Sequence, residues 1–232
     1  MTLVVGLDGD DTLWHNERLF SMTEERFHSL VAPFAGERDL PALLLETERR
    51  NLRLFGYGVK SFTLSMIETA IEVAGRDLPI GVVSELLAAG KQMLDHPVEL
   101  MDGVAETLPS LAGQWTLILI TKGDLFHQES KLARSGLLPH LDRVEIVSEK
   151  EPSTYRRILD EVGVDPSDFV MVGDSMRSDI EAVLDVGARA IHIPGHREWE
   201  LERSALHAPD GRWWRLTSFT ELPGLLTSLS GA

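Results

Sequence analysis

The residues Leu3-Val4-Val5-Gly6-Leu7-Asp8-Gly9-Asp10-Asp11-Thr12 decide the fold of this 232-residue chain. An apolar run over positions 3–7 stops at a loop in which three of the next four residues are aspartates. A short apolar run bounded by polar residues is typical of a buried β-strand that ends in a loop. The sequence therefore predicts that Asp8 lies at the carboxyl end of a buried strand.

The rest of the chain shows two different hydrophobic rhythms. From residue 16 to residue 97, apolar residues recur at helical spacing, which predicts four helices at 16–34, 40–55, 60–74 and 80–94. After residue 97, predicted strands alternate with predicted helices, a pattern typical of βαβ units and a mainly parallel sheet. We expect an α/β core formed by residues 1–15 and 98–232, with an all-helical insertion at 16–97.

The alternating segments of the core can be placed individually. The predicted strands are 115–120, 143–147, 169–172 and 189–193. The predicted helices are 104–111, 128–135, 153–162 and 179–186. Residues 196–210 are charged and show no pattern, whereas 213–216 and 219–229 predict a last strand and a closing helix.

Composition excludes several classes of function. The chain has no cysteine, which rules out disulfides, zinc–thiolate sites and thiol nucleophiles and favours a reducing cytoplasm. A formal net charge of −15 disfavours binding to nucleic acid, and no stretch approaches the roughly 18 apolar residues that a membrane span needs. The first residues also lack the basic start of a signal peptide. We therefore expect a cytoplasmic protein without a nucleic-acid or membrane partner.

Polar clusters follow four of the predicted strands at the point where each strand ends. In an open parallel sheet, ligands bind beyond the carboxyl ends of the strands, so these clusters are the first candidates for chemistry. They are Asp8 to Thr12, Thr121 to Asp124, Ser148 to Lys150, and Gly173 to Ser175 with Asp179. Each cluster alone is also compatible with a turn or a helix cap, and only their joint order along the chain favours a common site.

Together the clusters supply the groups that phosphoryl transfer needs. Asp8 and Asp174 are hard oxygen ligands suited to Mg²⁺, while Lys150 and the Thr121 hydroxyl would stabilise the phosphoryl oxygens. The Asp8 carboxylate could itself attack phosphorus, and Asp10 is placed to protonate the leaving oxygen and then activate a water. The sequence therefore predicts a Mg²⁺-dependent site for a phosphorylated ligand.

These motifs resemble those of the haloacid dehalogenase superfamily, in the same order along the chain. The matching residues are Asp8-x-Asp10-x-Thr12, Thr121, Lys150 and Gly173-Asp174 followed by Asp179. The resemblance implies a Rossmann-like core, with Asp8 as nucleophile and Asp10 as general acid and base. It also implies that Thr121 and Lys150 hold the phosphoryl group.

The resemblance extends to the metal site and to the insertion. The implied Mg²⁺ ligands are Asp8, the main-chain carbonyl of Asp10, Asp174 and, in a supporting position, Asp179. The candidate phosphate contacts are Thr12, Thr121, Lys122 and Lys150. The insertion at 16–97 is similar to a cap domain that closes over the site and contacts the substrate.

Three positions depart from the family pattern. Gly9 stands where a larger apolar residue is commoner, which affects the flexibility of the loop. Glu151 separates Lys150 from the following proline, which leaves the reach of the lysine open. Lys122 follows Thr121 where asparagine is frequent, so it either adds a cation at the phosphate or faces solvent.

Other polar and aromatic residues leave alternatives open. Trp14, His15 and Asn16, between the core and the insertion, either touch a substrate or pack at a hinge. His192 and His196 have i, i+4 spacing, but the Pro-Gly pair between them breaks a helix. We therefore interpret these histidines as loop residues and not as a metal pair.

The function predicted from these residues is hydrolysis of a small phosphorylated metabolite through an aspartyl-phosphate on Asp8. A phosphotransferase or sugar phosphomutase would use the same groups, with a hydroxyl in place of water. A non-catalytic metabolite-binding regulator would be expected to lack at least one of them. Dehalogenation is disfavoured, because family members that cleave carbon–halogen bonds lack an aspartate at the position of Asp10.

Overall fold

The computed structural model describes residues 3–195, 199–202, 204 and 211–231. The chain forms two compact units, Met1–Glu17 with Val98–Ala232, here called the core unit, and Arg18–Pro97, here called the helical unit. Most of the patternless segment 196–210, including His196, lies outside the described residues. Within the described part of the chain, no helix has both the length and the apolar character needed to cross a membrane.

A parallel sheet organises the core unit. Its strands are β1 Val4–Leu7, β2 Thr116–Lys122, β3 Arg143–Val147, β4 Phe169–Gly173, β5 Arg189–His192 and β6 Trp213–Arg215. The six strands are arranged in the order β3-β2-β1-β4-β5-β6. Leu7, the last residue of β1, pairs with Leu119 of β2 and Val172 of β4, so the carboxyl ends of these strands meet. The predicted α/β class with a parallel sheet is confirmed.

The helical unit contains four helices. They are α1 Glu17–Ala35, α2 Leu40–Phe55, α3 Val59–Ala74 and α4 Ile80–Asp95. Apolar side chains from all four helices pack in one cluster that includes Phe27, Leu44, Met66 and Leu86. Each helix begins and ends within one residue of its predicted bounds, because the apolar positions that define the helical spacing are the ones this cluster buries.

Helices of the core unit contribute to apolar clusters on both faces of the sheet. They are α5 Val104–Leu111, α6 Leu125–Ser135, α7 Pro152–Val162, α8 Ala182–Leu184 and α9 Leu222–Ser230. Successive residues of a strand point to opposite faces. Val5 and Leu7 accordingly join a cluster with Leu108 of α5, whereas Val4 joins a second cluster with Tyr155 of α7. Burial of each large apolar side chain contributes about 1.5–3 kcal/mol, so β1 is held firmly from both faces.

Three predicted elements that begin or end near the strand ends differ from the structure. Strand β2 runs on to Lys122, because that residue still pairs with Val147 of β3. Helix α6 begins before residue 128, because the Asp124 side chain accepts a hydrogen bond from the His127 amide N–H at 3.0 Å and so caps the helix earlier. In place of a single helix at 179–186, a π-helical turn at Met176–Glu181 precedes α8.

Candidate active site

Asp8 lies directly beyond β1, where its backbone continues the sheet. Its amide N–H donates to the carbonyl of Val172, 2.9 Å away, which joins it to the end of β4. The residue is only 6% exposed. Its Oδ1 accepts a hydrogen bond from the ammonium of Lys150, and the same ammonium donates to Oδ1 of Asp179 at 2.7 Å. Three of the predicted motif residues are therefore brought together.

Three carboxylates converge at this point and form what we call the acidic cluster: Asp8, Asp174 and Asp179. Each contributes a carboxylate oxygen, and these oxygens all lie within 4.8 Å of one another. Lys150 supplies one positive charge against the three carboxylates. Carboxylate oxygens are hard ligands suited to Mg²⁺ and similar cations, so these residues fit a divalent metal ion. The Asp10 side chain is not part of this cluster.

Burial and the neighbouring carboxylates raise the pKa of two carboxyl groups of the acidic cluster. Burial is the main cause that raises the pKa of Asp8 to about 7; Lys150 opposes the rise and Asp179 adds to it. Burial, followed by the charges of Asp8 and Asp179, raises the pKa of Asp174 well above its ordinary value. Burial alone would lower the pKa of Lys150, but Asp179 and Asp8 outweigh it and raise that pKa. A bound cation would offset the excess negative charge of the ionised carboxylates and so lower these pKa values.

The π-helical turn after β4 positions Asp179. The Asp179 amide N–H donates to the carbonyl of Ser175 at 2.9 Å, and the Ser175 amide N–H donates to Oδ2 of Asp179 at 3.2 Å. Gly173 ends the strand beside this carboxylate, and a Cβ at that position would lie 2.2 Å from Oδ2 of Asp179. Glycine is thus required for Asp179 to fold back against the strand end.

Asp10 lies two residues beyond Asp8, but its side chain enters a different set of contacts, which we call the Asp10 pocket: Asp10, Trp14, Gln128 and Lys131. Oδ1 of Asp10 accepts hydrogen bonds from Nε1 of Trp14 at 2.6 Å and Nζ of Lys131 at 2.5 Å, and Oδ2 accepts one from Nε2 of Gln128 at 3.1 Å. Burial raises the pKa of Asp10, but Lys131 and these hydrogen bonds outweigh it, so the pKa lies below its ordinary 3.8.

The turn after β1 folds Trp14 back onto Gly9. The amide N–H groups of Leu13 and Trp14 donate to the Gly9 carbonyl at 2.8 and 3.1 Å. Asp11 adopts a φ of 57°, a left-handed conformation that aspartate tolerates better than most residues. A Cβ at Gly9 would lie 2.6 Å from Cζ2 of Trp14. The absence of a side chain at Gly9 therefore lets the indole reach Asp10.

Two of the predicted phosphate contacts are threonines, and both are buried. The Thr121 hydroxyl near the end of β2 accepts a hydrogen bond from Nε2 of Gln128 at 3.0 Å. The Thr12 hydroxyl has no hydrogen-bond partner among the described residues. An unpaired buried hydroxyl retains a donor and an acceptor for a ligand.

Lys122, another predicted phosphate contact, binds a carboxylate from much later in the sequence. Its ammonium lies 2.5 Å from Oε1 of Glu202 and 2.9 Å from the Ser178 hydroxyl. The hydroxyls of Ser175 and Ser178 donate to the other Glu202 oxygen at 2.7 and 2.5 Å. With 14% of its side chain exposed, Lys122 does not simply face solvent, so that alternative is wrong. Its contact with a phosphate stays a prediction.

The sequence pattern does not single out three polar residues near the motifs: Gln128, Lys131 and Glu202. Gln128 and Lys131 are three positions apart on α6, so they share a helix face. Both side chains are buried. Two polar residues on the apolar face of a helix that follows a motif strand could therefore have indicated candidate site residues in the sequence. Glu202 stands in a charged segment without periodicity, where no local signal exists.

His192 is the last residue of β5, so the interpretation of this histidine as a loop residue is wrong. Its Nε2 lies 2.9 Å from the main-chain carbonyl of Asp174, which connects β5 to the loop of the acidic cluster. The pairing with β4 extends to this position, since His192 is in register with Gly173. His196 falls outside the part of the chain that the structure describes.

Two sequence comparisons give consistent results. A family model described as haloacid dehalogenase-like hydrolase matches residues 3–187. The N-acylneuraminate-9-phosphatase of Mus musculus is 31% identical over 141 residues, which cover 59% of this chain and 55% of that protein. The human protein of the same name is 30% identical over 142 residues with the same coverage. The chain thus spans little more than half the length of these curated relatives.

Solved structures are similar to this chain over nearly its whole length. A haloacid dehalogenase-like family hydrolase from Xanthomonas campestris has a TM-score of 0.88 and 39% identity, covering 99% of this chain and 92% of that one. A 2-haloacid dehalogenase from Pseudomonas syringae pv. Tomato has a TM-score of 0.64 and 25% identity, covering 98% and 99%. With the family model matched over most of its length, the chain belongs to the haloacid dehalogenase-like hydrolases.

Proposed function

We propose that this protein is a Mg²⁺-dependent phosphatase that hydrolyses the phosphomonoester of a small metabolite through an aspartyl-phosphate on Asp8. The observation that carries the proposal is the acidic cluster. In it, a carboxylate oxygen of the buried Asp8 lies within 4.8 Å of carboxylate oxygens of Asp174 and Asp179. Hard oxygen donors with a surplus of negative charge fit Mg²⁺. Asp174 and Asp179 would hold the ion together with one oxygen of Asp8 and the main-chain carbonyl of Asp10.

The proposed reaction has two displacements at phosphorus. An oxygen of Asp8 attacks the phosphoryl group, and the bond from phosphorus to the alcohol oxygen breaks as Asp10 gives that oxygen a proton. A water molecule then loses a proton to Asp10 and attacks phosphorus, which releases phosphate and restores the Asp8 carboxylate. Bound Mg²⁺ would reduce the repulsion between the attacking carboxylate and the phosphate.

The protonation state of Asp10 suits the second displacement directly. Its pKa lies below 3.8, so the carboxylate is ionised at neutral pH and ready to accept a proton from water. For the first displacement Asp10 must hold a proton, and the attack of water in the preceding turnover leaves one on it. The proton thus cycles between the two displacements, and the lowered pKa of Asp10 favours its release to the leaving oxygen.

Lys150 and Thr121 are proposed to hold the phosphoryl oxygens. The Lys150 ammonium already contacts Asp8, the proposed nucleophile, so a phosphoryl group on that carboxylate would lie beside a fixed positive charge. The Thr121 hydroxyl accepts a bond from Gln128 at 3.0 Å, which leaves its own proton available to an anion. Thr12 and Lys122 are proposed as further contacts.

The substrate class and the role of the helical unit rest on likeness to relatives. The mouse and human relatives are phosphatases by name, which supports a phosphorylated small molecule as substrate. Asp10 distinguishes this chain from dehalogenases, which lack an aspartate at that position. The helical unit, Arg18–Pro97, is proposed as the cap that determines substrate choice, and the cytoplasm as the compartment.

The test compares the wild type with Asp8→Asn on p-nitrophenyl phosphate, with and without Mg²⁺. Removal of the nucleophile is expected to lower kcat on the order of 10⁴-fold or more. Asp160→Asn, at an exposed aspartate of α7, is the matched control and should retain wild-type activity. Equal rates for wild type and Asp8→Asn would refute the mechanism.

A substrate panel then separates the neighbouring reactions. It contains sugar phosphates, N-acylneuraminate 9-phosphate and a 2-haloacid, with release of phosphate, formation of isomeric sugar phosphates and release of halide all measured. Phosphate release alone supports the phosphatase. Isomerised sugar phosphate or transfer to an added alcohol would assign a mutase or phosphotransferase instead, and halide release would overturn the argument from Asp10.

A further inference from the structure

Lys131 is a buried lysine that none of the four motifs includes. It lies on α6 and is 6% exposed. Its ammonium donates to Oδ1 of Asp10 at 2.5 Å and to Oδ1 of Asn16 at 3.2 Å, and it lies 6.0 Å from the centre of the Trp14 ring. A buried ammonium costs several kcal/mol unless an opposite charge and further acceptors surround it. The position of Lys131 is therefore determined by Asp10.

The orientation of the Asp10 carboxylate depends in turn on Lys131, because Lys131 and Trp14 together occupy both lone pairs of one Asp10 oxygen. A carboxylate oxygen offers about two lone pairs, and both donors point at Oδ1. Oδ2 receives the single bond from Gln128 at 3.1 Å and keeps capacity for one more partner. The three donors come from two different segments of the chain, so the carboxylate cannot rotate without losing partly buried hydrogen bonds.

We propose that Lys131 is a positioning residue for the Asp10 carboxylate, which it holds with Oδ1 occupied and Oδ2 available for proton transfer to the leaving oxygen. This inference rests on the proposed function. A lysine that only completes the fold would affect stability, and a lysine that binds phosphate would affect all substrates alike. A positioning residue for the acid affects substrates according to how much help their leaving group needs.

The test measures kcat/KM for phosphomonoesters whose alcohols differ in pKa. The substrates are p-nitrophenyl phosphate, phenyl phosphate and glycerol phosphate, and the variants are Lys131→Met, Lys131→Arg and the control Arg156→Met at an exposed residue of α7. General acid catalysis contributes about 10²–10⁴-fold where the leaving group is poor. We expect Lys131→Met to lose about 50-fold on glycerol phosphate and less than about threefold on p-nitrophenyl phosphate, with KM changed little.

Lys131→Arg should recover about tenfold of the loss on glycerol phosphate, since a guanidinium retains the charge and the donors. In an Asp10→Asn background, Lys131→Met should change kcat/KM less than about twofold, because residues that act as a unit are not additive. Additive losses, or equal losses on all three substrates, would overturn the inference.

A second variant guards against misfolding of Lys131→Met. Trp14→Phe keeps an aromatic ring but removes the Nε1 donor to Asp10. It should show the same dependence on the leaving group, with about a fivefold loss of kcat/KM on glycerol phosphate. A wild type whose activity does not depend on Asp8 would refute the proposed function and this inference with it. Asp8-dependent activity with no leaving-group pattern in either variant would refute this inference alone.

Discussion

The acidic cluster and the Asp10 pocket begin two residues apart in the chain and balance their charges in opposite ways. In the acidic cluster, three carboxylates lie together and the ammonium of Lys150 pairs with two of them, Asp8 and Asp179. In the Asp10 pocket, one carboxylate receives the ammonium of Lys131 and two neutral donors. Burial raises the pKa of Asp8 to about 7 because Lys150 offsets it only in part, whereas Lys131 and the other donors outweigh burial and lower the pKa of Asp10.

This difference shows that two aspartates of one short loop, Asp8 and Asp10, can have environments that suit different chemical roles. The acidic cluster is left with uncompensated negative charge, so it favours a cation. The Asp10 pocket is already neutralised and has a fixed geometry, which suits a group that transfers protons without binding the metal through its side chain. The contrast can be tested by changing the charge or the space on each side in turn.

Among the substitutions that test this contrast, the largest effect is expected from Lys150→Met. The substitution leaves Asp8 and Asp179 without their buried counter-charge, and breaking such a pair costs about 3–5 kcal/mol in the free energy of unfolding. We also expect kcat to fall about 10³-fold, because a preorganised charge at the phosphoryl group is lost. Urea unfolding curves recorded with and without Mg²⁺ measure the change in the free energy of unfolding. An unchanged melt, compared with Lys91→Met, would contradict the assigned role.

The second prediction concerns Mg²⁺ affinity. Asp174→Asn removes a carboxylate of the acidic cluster and should weaken Mg²⁺ binding on the order of 100-fold. Asp10→Asn removes a carboxylate outside the cluster and keeps the main-chain carbonyl, so it should change the affinity less than about threefold. Titration calorimetry of both variants decides this. Equal weakening would mean that the two regions form one electrostatic site.

Gly9→Ala tests the space that the Asp10 pocket requires. Its Cβ would lie 2.6 Å from Cζ2 of Trp14, and such overpacking should lower the free energy of unfolding by about 2 kcal/mol. Trp14→Leu in the same chain should recover part of this loss. The matched control is Gly81→Ala on α4, where no atom lies within 4 Å of the added Cβ. If both glycine variants melt alike, the close contact with Trp14 is not required.

The smallest expected effect is on the pH dependence of Mg²⁺ binding. With a pKa of about 7, Asp8 is increasingly protonated as pH falls below 7, and Mg²⁺ must then displace a proton. For each proton displaced, affinity should fall about tenfold per unit of pH below 7. Asp174, whose pKa is also raised, should add to this fall. Asp10 stays ionised over this range and should not contribute. Calorimetry at pH 6, 7 and 8 measures the change, and an affinity independent of pH would exclude Asp8 as a ligand.

The strand positions, the parallel class of the sheet and the acidic residues at the strand ends were predictable because they depend on local patterns. The order of the strands in the sheet was not predicted. Apolar runs that end in carboxylates mark parallel strand ends, and parallel strands place those ends at one edge of the sheet. Asp8 and Asp174 meet because β1 and β4 are direct neighbours. The four helices of the helical unit were predictable for a similar reason, since its apolar cluster follows the helical spacing.

The Asp10 pocket was not predictable, because the sequence identifies the aspartate and not the direction of its side chain. Lys131 lies within the predicted helix, but its contact with Asp10 joins residues 121 positions apart in the chain. The partner of Lys122 depends on contacts over a long sequence separation, since Glu202 comes 80 residues later. Such contacts are set by packing in three dimensions, and no local pattern encodes them.

The central position of β1 has a consequence for how the protein is made. Val4 pairs with Thr116 and Phe169, so the strand that carries Asp8 is synthesised 112 and 165 residues before its two neighbours. Closing loops of this length is slow, whereas the helices at 18–97 contact one another over short separations and form quickly. The apolar residues of β1 must therefore stay unpaired until both neighbouring strands have been synthesised, and the acidic cluster can form only after that.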